Sequence, residues 1–167
     1  KQLEDTSITN AQQRAFLEKQ IEEVQPLEEY GRKASAKNLA RAAIYAYDTE
    51  EDMHLKKNLF LAPENLLPET GYYGSHPQEL KEIIVDARKE MANRLVKERG
   101  MAESEAKQVA GDHIKATFDI GHAYTWKKYF KREEGESRED YDKRFNKWVT
   151  KQAEKLADEK IIGHVHI

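Results

Sequence analysis

Three short runs of strand-forming residues, at 58–65, 114–120 and 161–167, stand far apart in the chain with long helical stretches between them. Strands that alternate with long helices argue for right-handed βαβ units and a parallel sheet. This pattern predicts a helix-rich α/β fold with about three parallel strands. The first run, Asn58-Leu59-Phe60-Leu61-Ala62-Pro63-Glu64-Asn65, is short, apolar and bounded by two lysines and a proline. It reads as a buried parallel strand. The second is Ile114-Lys115-Ala116-Thr117-Phe118-Asp119-Ile120, and the third runs from Ile161 to Ile167.

The intervening stretches carry apolar residues at helical spacing. Leu17, Ile21 and Val24 form a stripe after Asn10, a fair N-cap, and Pro26 ends or kinks that helix because it lacks an N–H. Ala36, Leu39, Ala40, Ala43, Ile44 and Tyr47 share a face of a second helix, which the acidic run at 48–52 is expected to end or loosen. A loop is expected over 66–74. Ser75-x-x-Gln78 offers a capping box with Pro77 in the first turn, ahead of a stripe of Leu80, Ile83, Ile84, Ala87, Met91 and Leu95 that closes near Gly100. A short polar helix is expected at 104–110 and another around 124–131, with Trp126, Tyr129 and Phe130 in its core. The charged run 131–136 reads as a solvated loop. Ser137 then caps a long helix that carries Tyr141, Phe145, Trp148, Val149 and Leu156. His54, His76 and His113 fall in loops or at element starts and are expected to be exposed.

At 167 residues the chain reads as one domain, with a helical segment at 1–56 and the strands at 57–167. The 28 Lys and Arg nearly balance the 31 Asp and Glu, for a net charge of −3, so no strong field gathers phosphate backbones and nucleic acid is a disfavoured partner. No apolar run approaches the roughly 18 residues of a membrane span. No signal-peptide core is present either, so no membrane partner is expected and a cytoplasmic protein is. The absence of cysteine excludes disulfides, thiolate zinc sites and cysteine nucleophiles. Lys1 stands where an initiator Met would, and the last residues read as the middle of a strand. The sequence therefore reads as a fragment of a longer protein.

Each run ends in residues that bind metals or move protons: Glu64-Asn65, then Asp119-Ile120-Gly121-His122, then His164-Val165-His166. In parallel α/β folds the strand C-termini open on one face, where sites form. Asp-x-x-His across a strand-to-loop turn returns both side chains to one rim, with room provided at Gly121. His-x-His on a strand puts both imidazoles on one face. Taken singly, each pair is more often a cap, a loop or a surface strand. Their placement at three successive strand ends is what sets them apart. Oxygen and imidazole donors without sulfur suit a divalent metal: Mn²⁺, Co²⁺, Mg²⁺ or Zn²⁺.

The segments Leu61-Ala62-Pro63-Glu64-Asn65-Leu66, Thr117-Phe118-Asp119-Ile120-Gly121-His122-Ala123 and Gly163-His164-Val165-His166-Ile167 resemble, in order and spacing, successive strand ends of the xylose-isomerase-like TIM barrels. That superfamily includes sugar and sugar-phosphate isomerases and epimerases, and endonuclease IV. The resemblance covers 58–167 and implies the C-terminal half of a (β/α)8 barrel. It implies metal ligation by Glu64, Asp119 and His166. His122 would ligate a second metal, as in the endonuclease branch, or contact substrate, as in the epimerase branch. His164, two residues before the metal His, would support that ligand or face substrate, and Asn65 is a further candidate for substrate binding. The family's remaining carboxylate comes from a final strand that this sequence does not contain.

The activity so implied is isomerisation or epimerisation of a small-molecule sugar or sugar phosphate through a metal-stabilised enediolate, with Glu64 moving a proton on and off carbon. The alternatives are an endonuclease IV-like phosphodiesterase and a non-catalytic helical interaction protein. A half barrel exposes sheet edges and an apolar face, so the remaining barrel half or self-association is expected to cover them.

Overall fold

The computed structural model describes residues 2–24, 26–68 and 73–167, with side chains described from Asn10 onward. The expected loop over 66–74 lies partly, at 69–72, outside the described residues. The chain runs α1 (Gln2–Glu23), α2 (Leu27–Met53), α3 (Pro77–Arg99), α4 (Glu103–His113), β1 (Ala116–Asp119), α5 (Ile120–Thr125), α6 (Arg138–Asp158) and β2 (Ile162–His166). It is a helix-rich α/β fold with a small parallel sheet. No described helix is long and apolar enough to cross a membrane.

β1 and β2 are parallel, with Thr117 opposite His164, Phe118 opposite Val165 and Asp119 opposite His166. The run at 58–65 lies along the other side of β1, but only as two parallel bridges, Leu61 to Ile114 and Glu64 to Thr117. The continuous strand expected there is interrupted because Pro63 has no N–H to donate. Its carbonyl still accepts from Thr117 N–H at 3.0 Å, and Leu61 exchanges bonds with the backbone of His113 and Lys115 at 2.9 Å each. β2 can lie this close to its neighbours because residue 163 is glycine. A Cβ there would stand 2.6 Å from Lys115 Cβ and 2.8 Å from Phe60 Cε2.

Helices α2, α3 and α4 bury their stripes against one another and against the sheet. α3 buries the expected Leu80, Ile83, Ile84, Ala87, Met91 and Leu95, and ends at Gly100 in the left-handed conformation with φ 67°. α2 packs on it through Ala36, Ala40, Ala43 and Ile44. The acidic run at 48–52 does not end α2, which continues to Met53. Arg99 of α3 grips the Asp48 carboxylate at 2.6 and 2.8 Å and ties that turn to α3. α1 extends further toward the N-terminus than the expected start at Asn10, and residues 10–24 are exposed. α6 is capped by Ser137, which accepts from Asp140 N–H at 3.1 Å, and buries Phe145, Val149 and Leu156.

Other expectations shift with the packing. The helix expected over 124–131 is split into α5 and a 3-10 turn at Trp126–Tyr129. Phe130 packs edge-on against Phe145 at 5.2 Å, as a core residue should, but Tyr129 is half exposed. His113, expected to be exposed, is buried. Its Nδ1 lies 2.9 Å from Val109 O and its Nε2 lies 3.1 Å from the Glu50 carboxylate, which also accepts Leu59 N–H at 2.8 Å. These contacts tie α2, α4 and the start of the 59–65 segment together.

His76 is also not free. It is the N-cap of α3, one residue after the expected Ser75. Its Nδ1 accepts from Gln78 N–H at 3.1 Å, while Glu79 accepts from His76 N–H at 3.2 Å. The ring stands edge-on to Trp126 at 4.8 Å. Burial lowers the pKa of His76, aided by Lys155 and opposed by Glu79 and Glu82. The unfolded chain therefore binds the proton more readily than the folded one, and stability rises with pH across that window. The contribution is complete above the ordinary value of about 6.5 and declines as the pH falls from there toward the lower folded value. His76→Ala is expected to cost about 1 kcal/mol at neutral pH and to flatten this part of the profile, checked by urea melts between pH 5 and 8.

Candidate metal centre

The three ends named from the sequence meet on one rim. Parallel strands place their C-terminal ends together. Asp119 and His166 are register partners, and Glu64 bridges to β1 two residues before Asp119. His166 Nδ1 lies 3.0 Å from Asp119 Oδ2 and 3.7 Å from Glu64 Oε2. One donor atom from each of Glu64, Asp119 and His166 lies within 4.8 Å of the others. A divalent ion about 2.0–2.2 Å from nitrogen and oxygen donors spaces those donors roughly 3–4 Å apart, so this set fits one with small side-chain adjustments. Two carboxylates and an imidazole are the hard and borderline donors such ions take.

Asp119 is the anchored member and His166 the open one, its side chain 59% exposed. Asp119 does two jobs. Its Oδ1 accepts His122 N–H at 2.7 Å, capping α5, while Oδ2 faces His166. Gly121 makes the first job feasible, since a Cβ there would press to 3.2 Å from Asp119 Oδ1. Burial by itself raises the Asp119 pKa. The His122 N–H, the neighbouring His122 and His166 rings and a hydrogen bond with Glu64 together outweigh it and hold the carboxyl below its ordinary value.

The other residues named from the sequence are placed differently. His122 borders the three donors without joining them. Its Nδ1 lies 2.8 Å from the Asn65 carbonyl, 3.3 Å from Glu64 Oε1 and 3.7 Å from Asp119 Oδ2. Asn65, a candidate for substrate binding, is fully buried. Its Nδ2 donates to Asp119 O at 3.0 Å and its Oδ1 accepts Asp119 N–H at 2.8 Å. Its amide is occupied inside the fold, and no local signal could have shown a contact across 54 residues. His164 shares the face of His166, one pleat back opposite Thr117, and is exposed.

A cleft of about 540 Å³ between the starts of α2 and α3, lined by Glu28, Glu29, Arg32 and Asp86 among others, contains none of the three donors. Its arginine is already paired, with Asp86 at 2.6 Å and with Glu82 at 2.9 Å. No family model, curated protein or solved structure matches this chain.

Proposed function

We propose that Glu64, Asp119 and His166 hold one divalent metal ion, and that the protein is a metal-dependent isomerase or epimerase of a sugar or sugar phosphate built on a xylose-isomerase-like barrel. The observation that carries this reading is the convergence of three donors from three parallel segments on one rim. The bound metal supplies Lewis-acid polarisation of a substrate's carbonyl and hydroxyl oxygens. Glu64 is the carboxylate beside them that takes and returns a proton, with Oε2 toward His166 and Oε1 toward His122. His122 binds substrate hydroxyls from the edge of the donor set. The near-neutral charge favours a sugar over a polyanionic phosphodiester. The barrel reading also has the exposed Leu59, Phe60 and Val165 covered by further barrel strands or by a second copy.

Calorimetric titration of the chain with Mn²⁺, Co²⁺ and Zn²⁺ tests the reading. The expected result is saturable binding near one ion per chain. In His166→Ala the affinity falls by more than the roughly 10–100-fold that loss of a supporting partner costs. A folded chain that binds none of the three ions would sink the metal reading and favour a helical interaction protein.

A further inference from the structure

We infer that Asn65 is the positioning residue of this centre, setting the place of the Asp119 carboxylate through its side chain and the tautomer of His122 through its carbonyl. The inference rests on the metal reading of the same site. Pro63 breaks the backbone ladder just before the rim, where the site needs β1 held most firmly. Asn65 restores the missing hold: its amide offers one donor and one acceptor in a plane, as a peptide group does, and uses both on the Asp119 backbone. Asp lacks the donor, and Gln is one methylene too long for a fully enclosed site. Asp119 sits where strand turns directly into helix, and its two oxygens serve a cap and the donor set at once. A small backbone shift there would spoil one or the other.

The carbonyl of the same residue faces His122 Nδ1 at 2.8 Å. A carbonyl only accepts, so Nδ1 carries a proton, and in the neutral ring Nε2 keeps the lone pair. Nε2 is then the nitrogen of that ring able to accept from a substrate hydroxyl or to ligate. Asn65 thus reaches Glu64 as its chain neighbour, Asp119 through its amide and His122 through its carbonyl. Metal-site geometry depends on such supporting bonds.

The test is Co²⁺ titration of wild type and Asn65→Ala, read by affinity and by the visible d–d spectrum. Asn65→Ala is expected to stay helical by circular dichroism, to bind Co²⁺ about 10–100-fold more weakly, and to give an altered spectrum. A merely structural residue would leave the spectrum of the bound ion unchanged. Equal affinity and an identical spectrum in a folded Asn65→Ala overturn the inference while leaving the metal centre standing. A wild type that binds no Co²⁺ brings down the metal reading and this inference with it. Should Asn65→Ala fail to fold, ¹⁵N NMR of the wild-type imidazoles decides. His122 protonated at Nδ1 before and after Zn²⁺, while the His166 ring shifts, supports the inference; His122 protonated at Nε2 with a bare Nδ1 overturns it.

Discussion

Phe118→Ala is expected to cost about 3–5 kcal/mol, a large share of the roughly 5–15 kcal/mol by which a domain of this kind is stable. Phe118 is among the largest fully enclosed side chains, 1% exposed, in the middle of β1 and within the main core cluster. β1 is also the central segment of the sheet, bridged to 59–65 on one side and paired with β2 on the other. The cavity left by the ring cannot collapse without moving both neighbours. Urea denaturation checks the value, with Tyr129→Ala as control. Tyr129 is half exposed and should change stability by no more than about 0.5 kcal/mol. A cost near that of the control at Phe118 would mean that β1 does not pack as described.

Asp119→Ala is expected to separate the proposed metal centre from the fold. It removes the donor that lies 3.0 Å from His166 and leaves Glu64 and His166 as a pair. Co²⁺ and Zn²⁺ binding should fall below detection in the same calorimetric titration. The fold should survive, because Asn65 holds the Asp119 backbone rather than its carboxylate, and alanine keeps that backbone. What is lost besides the donor is the cap of α5, worth about 1 kcal/mol, and the contacts with the exposed His166 and with Glu64. Undiminished binding in the variant would place the metal elsewhere.

The helix faces could be read from the chain because each is a local repeat. The α3 stripe from Leu80 to Leu95 follows the 3.6-residue period, and Gly100 marks its end by its own backbone freedom. The donors of the rim could be read for a related reason. Oxygen and nitrogen ligands placed at the end of each strand-forming run must share an edge once the strands are parallel. What escaped the reading depends on groups distant in the chain. The acidic run at 48–52 looks like a helix end until Arg99 grips Asp48. His113 looks exposed until Glu50 and Val109 occupy its ring. The capping residue of α3 moved from Ser75 to His76, where Trp126 shelters the ring.

Residue types, spacing and the positions of proline and glycine thus indicated the main helices, that the strands run parallel and which side chains could act as donors. The helices follow from backbone sterics and hydrophobic period within a few residues, and the parallel strands from their alternation with those helices. Tertiary structure decided which donors form the set. Glu64, Asp119 and His166 come together, while His122 is turned to the Asn65 carbonyl and Asn65 is drawn inward to Asp119. Hydrogen-bond satisfaction in a buried site is the reason. Pro63 leaves the ladder short, the Asp119 backbone must find partners, and the side chain that supplies them is chosen by proximity in space rather than along the chain.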